Sequence, residues 1–141
     1  MQTVKVKRGR PGTGLGLFAN KDFKKGQFIA EYTGVRIATP IADTLKTKYL
    51  FEINEKWTVD GSSRSNLARY INHSCFPNSE SDIRAGKILI SALRPIEAGE
   101  EITMDYGDDY VDEFIKPYGC KCGACDGKKV PAKIEEQLVL V

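Results

Sequence analysis

Short apolar segments separated by turn-forming residues set narrow limits on the fold of this chain. Alternating or continuously apolar stretches predict strands at 4–7, 28–32, 49–53, 57–60, 88–93 and 102–106. Glycine, serine and proline punctuate the intervals between them, and 40–45 is the one helix expected before the C-terminal tail. Many short strands with few helical stretches indicate a β-rich domain built from compact sheets.

The length of 141 residues fits one domain and leaves no room for a second substantial core. A composition with 41% hydrophobic and 28% charged residues is that of an ordinary soluble globular protein. No apolar run is long enough to span a membrane, and residues 1–10 lack the apolar region of a signal peptide. An intracellular protein is therefore expected.

Charge is unevenly distributed along the chain, although the net charge is only +2. Basic residues open the sequence without an acid among them, whereas 97–113 contains eight acids and no lysine or arginine. These segments are either two solvated faces or, for the acidic one, a rim that steers a cationic peptide to the site. Direct binding of nucleic acid is not expected, because no basic stripe is interleaved with aromatic residues.

Two motifs carry most of the functional information. Residues 70–78 read Tyr-Ile-Asn-His-Ser-Cys-Phe-Pro-Asn, and residues 100–107 read Glu-Glu-Ile-Thr-Met-Asp-Tyr-Gly. Each alone is weak, because Asn-His-Ser can be turn chemistry and Asp-Tyr is common. In this order, between a glycine-rich opening at 12–16 and a cysteine cluster at 120–125, they resemble the paired motifs of SET-domain protein-lysine methyltransferases. The resemblance covers about residues 6–127.

The resemblance implies a mainly β fold (β-rich α+β), β-clip-like, with small sheets, a C-terminal pseudoknot and few short helices. It divides the chain into a SET domain at 1–115, a post-SET-like zinc-binding segment at 116–128 and a short tail at 129–141. In that tail Ile134, Leu138 and Val141 have a spacing that allows a short amphipathic helix. Such a helix would cap the core or form a dimer contact, so both monomer and homodimer stay open.

The glycine-rich segment superficially resembles a dinucleotide-binding fingerprint. No helix pattern or βαβ unit follows it, which argues against that reading. The glycines either form a flexible hairpin or allow the backbone to approach a ligand closely. The family resemblance favours the second role, with main-chain groups holding S-adenosylmethionine (SAM). The residues implied are Thr13, Gly14, Leu15, Gly16 and Leu17.

His73 is the only histidine of the chain, and a lone histidine is more often structural than catalytic. Nothing places a third member for a Ser/His/Asp arrangement around it. By resemblance, Asn72 and His73 contact SAM and support the pseudoknot, and neither is a catalytic base. Tyr49 falls on another family position that contacts SAM.

Tyr106 read alone would be an edge packing residue at the end of a strand. By resemblance it is the catalytic tyrosine, also touching the cofactor, and the reaction explains why. Methyl transfer from a sulfonium needs a neutral lysine amine in line with the methyl group, yet the pKa of free lysine is ~10.4. An apolar channel and the sulfonium charge lower that pKa. The Tyr106 hydroxyl would then orient the reacting groups.

The lysine channel is implied by three further positions, Tyr32, Tyr70 and Met104. Tyr32 is also a candidate catalytic residue. Met104 lies two residues before Tyr106, where the family commonly has Phe or Tyr. A flexible thioether without a hydroxyl predicts di- or trimethylation rather than strict monomethylation.

Four cysteines remain to be explained, namely Cys75, Cys120, Cys122 and Cys125. A disulfide is the less expected use in an intracellular protein, and four thiolates suit a closed tetrahedral zinc site. The resemblance to post-SET segments implies one structural zinc held by all four. Two residues separate Cys122 from Cys125 where the family usually has four. An unmetallated segment or a different pairing is the alternative.

The sequence thus predicts a SAM-dependent protein-lysine N-methyltransferase that releases S-adenosyl-L-homocysteine and acts on a basic protein, histone or histone-like. The alternative is a SET-fold binding module that recruits a partner without turnover. No membrane partner is expected. The expected location is the cytoplasm for a bacterial protein and chromatin in the nucleus for a eukaryotic one, with a viral or host-directed effector also possible.

Overall fold

The computed structural model describes residues 2–9, 14–45 and 47–106. Within these ranges the chain forms ten short strands, one short α-helix and one 3-10 helix. In chain order they are β1 Val4–Arg8, β2 Leu15–Ala19, β3 Phe28–Tyr32, β4 Val35–Ala38, α1 Thr39–Ala42, β5 Leu50–Glu52, β6 Trp57–Asp60, the 3-10 helix Leu67–Tyr70, β7 Asn72–His73, β8 Ser79–Arg84, β9 Lys87–Ala92 and β10 Glu101–Met104.

Three small sheets contain all of these strands. One has the strand order β1-β2-β10-β7, and the others have the orders β3-β9-β8 and β4-β6-β5. The prediction of a β-rich domain with small sheets and few helices is confirmed. In the part of the chain that the structure describes, no helix is long and apolar enough to cross a membrane.

The core lies where the sheets meet, and branched aliphatic side chains fill it. Leu17, Ile88, Ile90 and Ile102 are at most 1% exposed and come from β2, β9 and β10. Burial of a side chain of this size stabilises a fold by ~1.5–3 kcal/mol. Val59 of β6 belongs to the same buried cluster, so the three sheets share one core.

Several element boundaries differ from the sequence prediction. None of the predicted strands includes Gly16, yet this residue is a member of β2 and pairs with Lys7. Helix α1 begins one residue earlier than predicted, with Pro40 in its first turn, and ends at Ala42. Strand β10 ends at Met104, two residues before Tyr106.

Strand β10 is central to the four-stranded sheet. On one side it pairs antiparallel with β2, through Glu101 with Phe18 and Ile102 with Leu17. On the other side it pairs parallel with β7, through Thr103 with Asn72. The two sequence motifs are therefore direct neighbours in the sheet.

Asn78 supports the same strand with a side chain instead of a backbone ladder. Its Nδ2 donates to the carbonyl oxygen of Glu101 at 2.9 Å, and its Oδ1 accepts from the backbone N–H of Thr103 at 2.9 Å. The hydroxyl of Ser79 donates to the carbonyl oxygen of Thr103 at 2.6 Å. Asn78 is 2% exposed, so these bonds are shielded from water. The end of the first motif thus fixes the strand that carries the second.

Replacing Asn78 by alanine should lower the free energy of unfolding by about 2–3 kcal/mol, because two hydrogen bonds are lost and their backbone partners stay desolvated. Denaturant unfolding followed by circular dichroism measures this. The control is Ser81→Ala, an exposed β8 position expected to change stability by less than about 0.5 kcal/mol. An Asn78→Ala variant as stable as that control would contradict the role of Asn78.

Candidate active site

His73 and Tyr106 form the junction of the two motifs. The backbone N–H of Tyr106 donates to His73 Nδ1 at 3.1 Å, and the two ring centroids are 5.3 Å apart at an interplanar angle of 51°. An Nδ1 atom that accepts this bond carries no proton, so the arrangement favours the tautomer with hydrogen on Nε2. Nε2 lies 3.5 Å from the Sγ of buried Cys75. His73 therefore links the backbone of Tyr106 to the side chain of Cys75.

The Tyr106 side chain is fixed at its far end as well. Its hydroxyl donates to the carbonyl oxygen of Ile71, a residue that is 1% exposed. Its ring is partly buried against the core. With the backbone held by His73 and the hydroxyl held by Ile71, the position of the phenol oxygen is determined by the first motif. Such a fixed hydroxyl suits a residue that orients reacting groups.

Asn72 joins the first motif to the glycine segment. Its Nδ2 donates to the carbonyl oxygen of Leu15 at 3.1 Å and to the carboxylate of Glu101 at 2.8 Å. The Leu15 side chain beside it is 51% exposed. The exposed start of β2 and half-buried Asn72 thus face the same region, where a ligand has access to backbone groups.

Different constraints explain the two glycines of this segment. Gly14 has a φ of +70°, and an added Cβ would meet nothing within 4 Å, so the backbone conformation is what favours glycine there. At Gly16 an added Cβ would lie 2.5 Å from Oε2 of Glu101. Neither explanation needs a bound ligand, and the proposed contact of this backbone with SAM stays a prediction.

The remaining predicted members of the glycine segment have different positions. Leu17 has no exposed surface and contributes its side chain to the core. Thr13 lies outside the described residues.

Tyr32 is buried with its hydroxyl committed to the backbone. The hydroxyl donates to the carbonyl oxygen of Tyr49 at 2.9 Å, and the ring lies 5.2 Å from the ring of Phe51. An added Cβ at Gly61 would lie 2.4 Å from this ring. The structure thus brings the Tyr32 side chain to the backbone of Tyr49, and their proposed roles at the lysine channel and the cofactor stay predictions.

Arg69 is a residue that sequence reasoning did not single out. Its guanidinium lies 4.3 Å from the ring centroid of Tyr49 and 5.0 Å from that of Tyr70, and NH1 donates to the Tyr70 hydroxyl at 3.1 Å. Cation–π contacts of this kind contribute ~0.5–2 kcal/mol each. The arginine therefore connects an aromatic expected at the cofactor with one expected at the substrate. A local spacing pattern could not predict this contact, because Tyr49 lies 20 residues before Arg69 in the sequence.

Asn66 precedes the 3-10 helix and is 1% exposed. Its Oδ1 accepts from the backbone N–H of Thr33 at 3.1 Å, and its Nδ2 donates to the carbonyl oxygen of Gly61 at 3.0 Å. These bonds satisfy buried backbone groups outside regular ladders. These contacts give Asn66 a structural role.

Met104 and Cys75 complete the part of the site that is described. Met104 is 7% exposed, pairs with His73 across β10 and β7, and belongs to the core cluster. Cys75 is 8% exposed. Cys120, Cys122 and Cys125 lie outside the described residues, as do the proposed boundaries at 115 and 128 and the tail helix. Within 2–9, 14–45 and 47–106, no three possible metal ligands come together. The zinc site therefore stays a prediction.

The SET domain family model matches residues 14–107, which is most of the chain. The chain belongs to the SET-domain family. The resemblance drawn from the sequence motifs is thereby confirmed.

Curated relatives of this SET domain are histone-lysine N-methyltransferases. The protein trr of Drosophila melanogaster is 39% identical over 128 residues, covering 82% of this chain and 5% of the relative. Histone-lysine N-methyltransferase 2D of Homo sapiens is 37% identical over 128 residues, covering 82% and 2%. An Aspergillus oryzae enzyme named as H3 lysine-4 specific is 34% identical over 126 residues, covering 75% and 10%. The chain spans at most a tenth of the length of these relatives.

A solved structure supports the same fold. The SET domain superposes on a chain of the polycomb repressive complex 2 of Chaetomium thermophilum with a TM-score of 0.69 and 32% identity. The superposition covers 77% of this chain and 16% of that one. The small sheets described above are therefore those of a SET fold.

Proposed function

We propose that this SET domain is a SAM-dependent protein-lysine N-methyltransferase that acts on a basic protein of the histone or histone-like class. The observation that carries the proposal is the junction of the two motifs, where Tyr106 is bonded to both His73 and Ile71 beside Asn72. The names of the relatives support the same activity. A degenerate SET fold kept only for binding would have no need to retain this arrangement.

The residues at the start of β2 fit the methyl donor by their chemistry. The Gly14 conformation, the exposed Leu15 and the half-buried Asn72 leave backbone and amide groups accessible in one region. With Thr13, Gly16, Leu17, Tyr49 and His73 they make up the proposed cofactor site. When bound, SAM supplies a methyl group on a positively charged sulfur and is released as S-adenosyl-L-homocysteine.

The chain's own residues then have distinct tasks. Tyr106 orients the lysine amine through a hydroxyl that Ile71 holds in place. Tyr32, Tyr70 and Met104 exclude water around the lysine side chain. The amine must lose its proton before transfer, and an apolar surrounding favours the neutral form. Orientation and desolvation account for catalysis without a covalent intermediate on the protein.

The proposed zinc site uses Cys75 with Cys120, Cys122 and Cys125. Cys75 fits this role because it is buried beside His73, which contacts Tyr106. The segment that carries the other three cysteines follows Tyr106 in the chain. The 14-residue interval from Tyr106 to Cys120 is long enough to return to Cys75. The metal would fix the C-terminal segment against the site and complete the channel.

The proposed substrate class and cellular location rest on the charge of the site and on the similarity to histone-lysine N-methyltransferases. Asp105 is exposed at the junction, with Oδ1 3.8 Å from Nδ1 of His73, and Glu97 is exposed in the segment before β10. Such acids attract a cationic peptide. A eukaryotic protein of this kind would act on chromatin in the nucleus, and a bacterial one in the cytoplasm. Neither nucleic acid nor membrane is proposed as a direct partner, and both monomer and homodimer are compatible.

Two measurements test the activity. Calorimetry of the full chain with SAM should show binding, and mass spectrometry should show lysine methylation of a core histone mixture incubated with chain and SAM. SAM binding without a methylated product in histones or in a whole lysate would instead favour the binding-module alternative.

Tyr106→Phe should lower kcat by about 100-fold or more, because the orienting hydroxyl is lost while the ring stays in place. SAM affinity should change little. The matched control is Ser79→Ala, which also removes a buried hydroxyl bonded to a backbone carbonyl but lies outside the site. An activity of Tyr106→Phe within about twofold of wild type would remove Tyr106 from the catalytic role.

Met104→Tyr should shift products from di- or trimethyl toward monomethyl lysine, because the new hydroxyl holds a water where a larger amine would sit. The matched control is Met104→Leu, which adds no hydroxyl and should keep the wild-type product distribution. Time-resolved mass spectrometry of a peptide with excess enzyme and SAM reports the states. Wild-type chain that stops at monomethyl lysine under these conditions would refute the interpretation of Met104.

Protein purified without chelators should contain one zinc per chain by elemental analysis, and removal of the metal should lower activity. Cys75→Ser should lose most of the zinc, whereas the neighbouring Ser74→Ala should retain it. Full activity at a zinc content near zero would exclude the metal site.

A further inference from the structure

The carboxylate of Glu101 occupies a position that none of the proposed roles explains. Glu101 opens β10 and is half-buried, with its side chain on the face opposite to the core residues Ile102 and Met104. In the described part of the chain no lysine or arginine lies within ion-pair distance of it. Its Oε2 instead accepts a hydrogen bond from Nδ2 of Asn72 at 2.8 Å.

This bond determines which way the Asn72 amide faces. An ionised carboxylate can only accept hydrogen bonds, so only the NH₂ end of an amide can face it. The second hydrogen of the same Nδ2 is donated to the carbonyl oxygen of Leu15 at 3.1 Å, which also requires a donor. Two acceptors thus fix one orientation. In the described residues the Asn72 carbonyl oxygen Oδ1 accepts no hydrogen bond, and it is left as an acceptor at the site.

The glycine at position 16 is part of the same arrangement. A Cβ there would lie 2.5 Å from Glu101 Oε2 and 3.2 Å from Asn72 Nδ2. An alanine would therefore require the carboxylate to move away from the amide. Gly16 leaves the space in which Glu101 reaches Asn72.

We propose that Glu101 is a positioning residue for the methyl-donor site, which fixes the Asn72 amide so that Oδ1 faces the ligand as an acceptor. The proposal rests on the proposed function, because SAM must be the ligand of Asn72. SAM carries an ammonium group and an adenine amino group, both hydrogen-bond donors that an amide oxygen can bind. Glu101 itself touches neither the methyl group nor the lysine amine.

The first test separates cofactor binding from chemistry. Glu101→Ala should raise the Kd and KM for SAM roughly 10- to 100-fold, the range for loss of a hydrogen bond to a charged group. At saturating SAM, kcat should stay within about threefold of wild type. Glu101→Gln keeps an acceptor oxygen and should lie between alanine and wild type. The control is Glu80→Ala, an exposed acid of β8, which should bind SAM like wild type.

A double-mutant cycle then tests whether Glu101 acts through Asn72. Asn72→Ala should weaken SAM binding, and adding Glu101→Ala to it should change the Kd by less than about twofold, because the amide to be oriented is gone. Gly16→Ala should weaken binding in the wild-type background and have little further effect beside Glu101→Ala. Equal penalties for Gly16→Ala in both backgrounds would show that the glycine serves the ligand directly.

The outcomes distinguish this inference from the proposed function. Wild-type chain that fails to bind SAM in calorimetry overturns the function and the role of Glu101 with it. Wild-type chain that binds SAM, together with a Glu101→Ala variant of unchanged Kd, overturns the role of Glu101 alone. A folded Glu101→Ala variant that loses kcat without any change in KM for SAM also overturns it, because positioning of the cofactor would then not be the task of this residue.

Discussion

The placement of β10 between β2 and β7 is the constraint on which the site depends. Four residues of strand, Glu101–Met104, pair with the glycine segment on one edge and with the Asn-His motif on the other. Asn72 and His73 pair with Thr103 and Met104, and Tyr106 follows two residues later, so these proposed groups gather at the carboxyl end of β10. Strand pairing positions backbone atoms closely, so the side chains that leave from these positions need little further adjustment. Strand pairing thus positions Asn72 and His73, whereas Tyr106 lies beyond the end of β10 and is held by its hydrogen bonds to His73 and Ile71.

Buried hydrogen bonds to backbone groups then fix the side chains that the ladder brings together. Asn66, Asn78 and Tyr106 each form a hydrogen bond with a main-chain atom of a distant segment, namely with Thr33, Glu101 and Ile71. In a water-excluded interior such bonds are strengthened, and an unpaired group there is costly. Polar residues that the sequence places near the motifs therefore serve the architecture as much as the chemistry. The irregular connections between three small sheets leave many backbone N–H and C=O groups without a ladder partner. Polar side chains supply the missing hydrogen bonds.

Strands with a clear apolar pattern could be predicted from the sequence. The two motifs also allowed the SET-domain family to be predicted. The boundaries of β3 and β6 agree with prediction, because β3 is a short and largely apolar run and because apolar and polar residues alternate in β6. Strand β8 was missed because its residues after Ser79 are exposed and, apart from Ile83, polar, as expected for an edge strand with no buried face. Strand β7 is two residues long and has no period to detect. The roles of Glu101 and Arg69 were not predicted, because their partners Asn72 and Tyr49 are distant in sequence. No local pattern encodes a contact between remote segments.

The hydrogen bonds at the junction also bear on how the chain reaches its native state. Those from Tyr106 to His73 and Ile71 span 33 and 35 residues, and the one from Asn72 to Leu15 spans 57. Contacts of such separation close large loops, and chains rich in them fold slowly. The hairpin of β8 and β9 can form from neighbouring residues, whereas the proposed active site requires three remote segments at once, around residues 15, 71–73 and 106. We therefore expect this site to assemble late in folding, because its contacts cannot close until β10 has been synthesised.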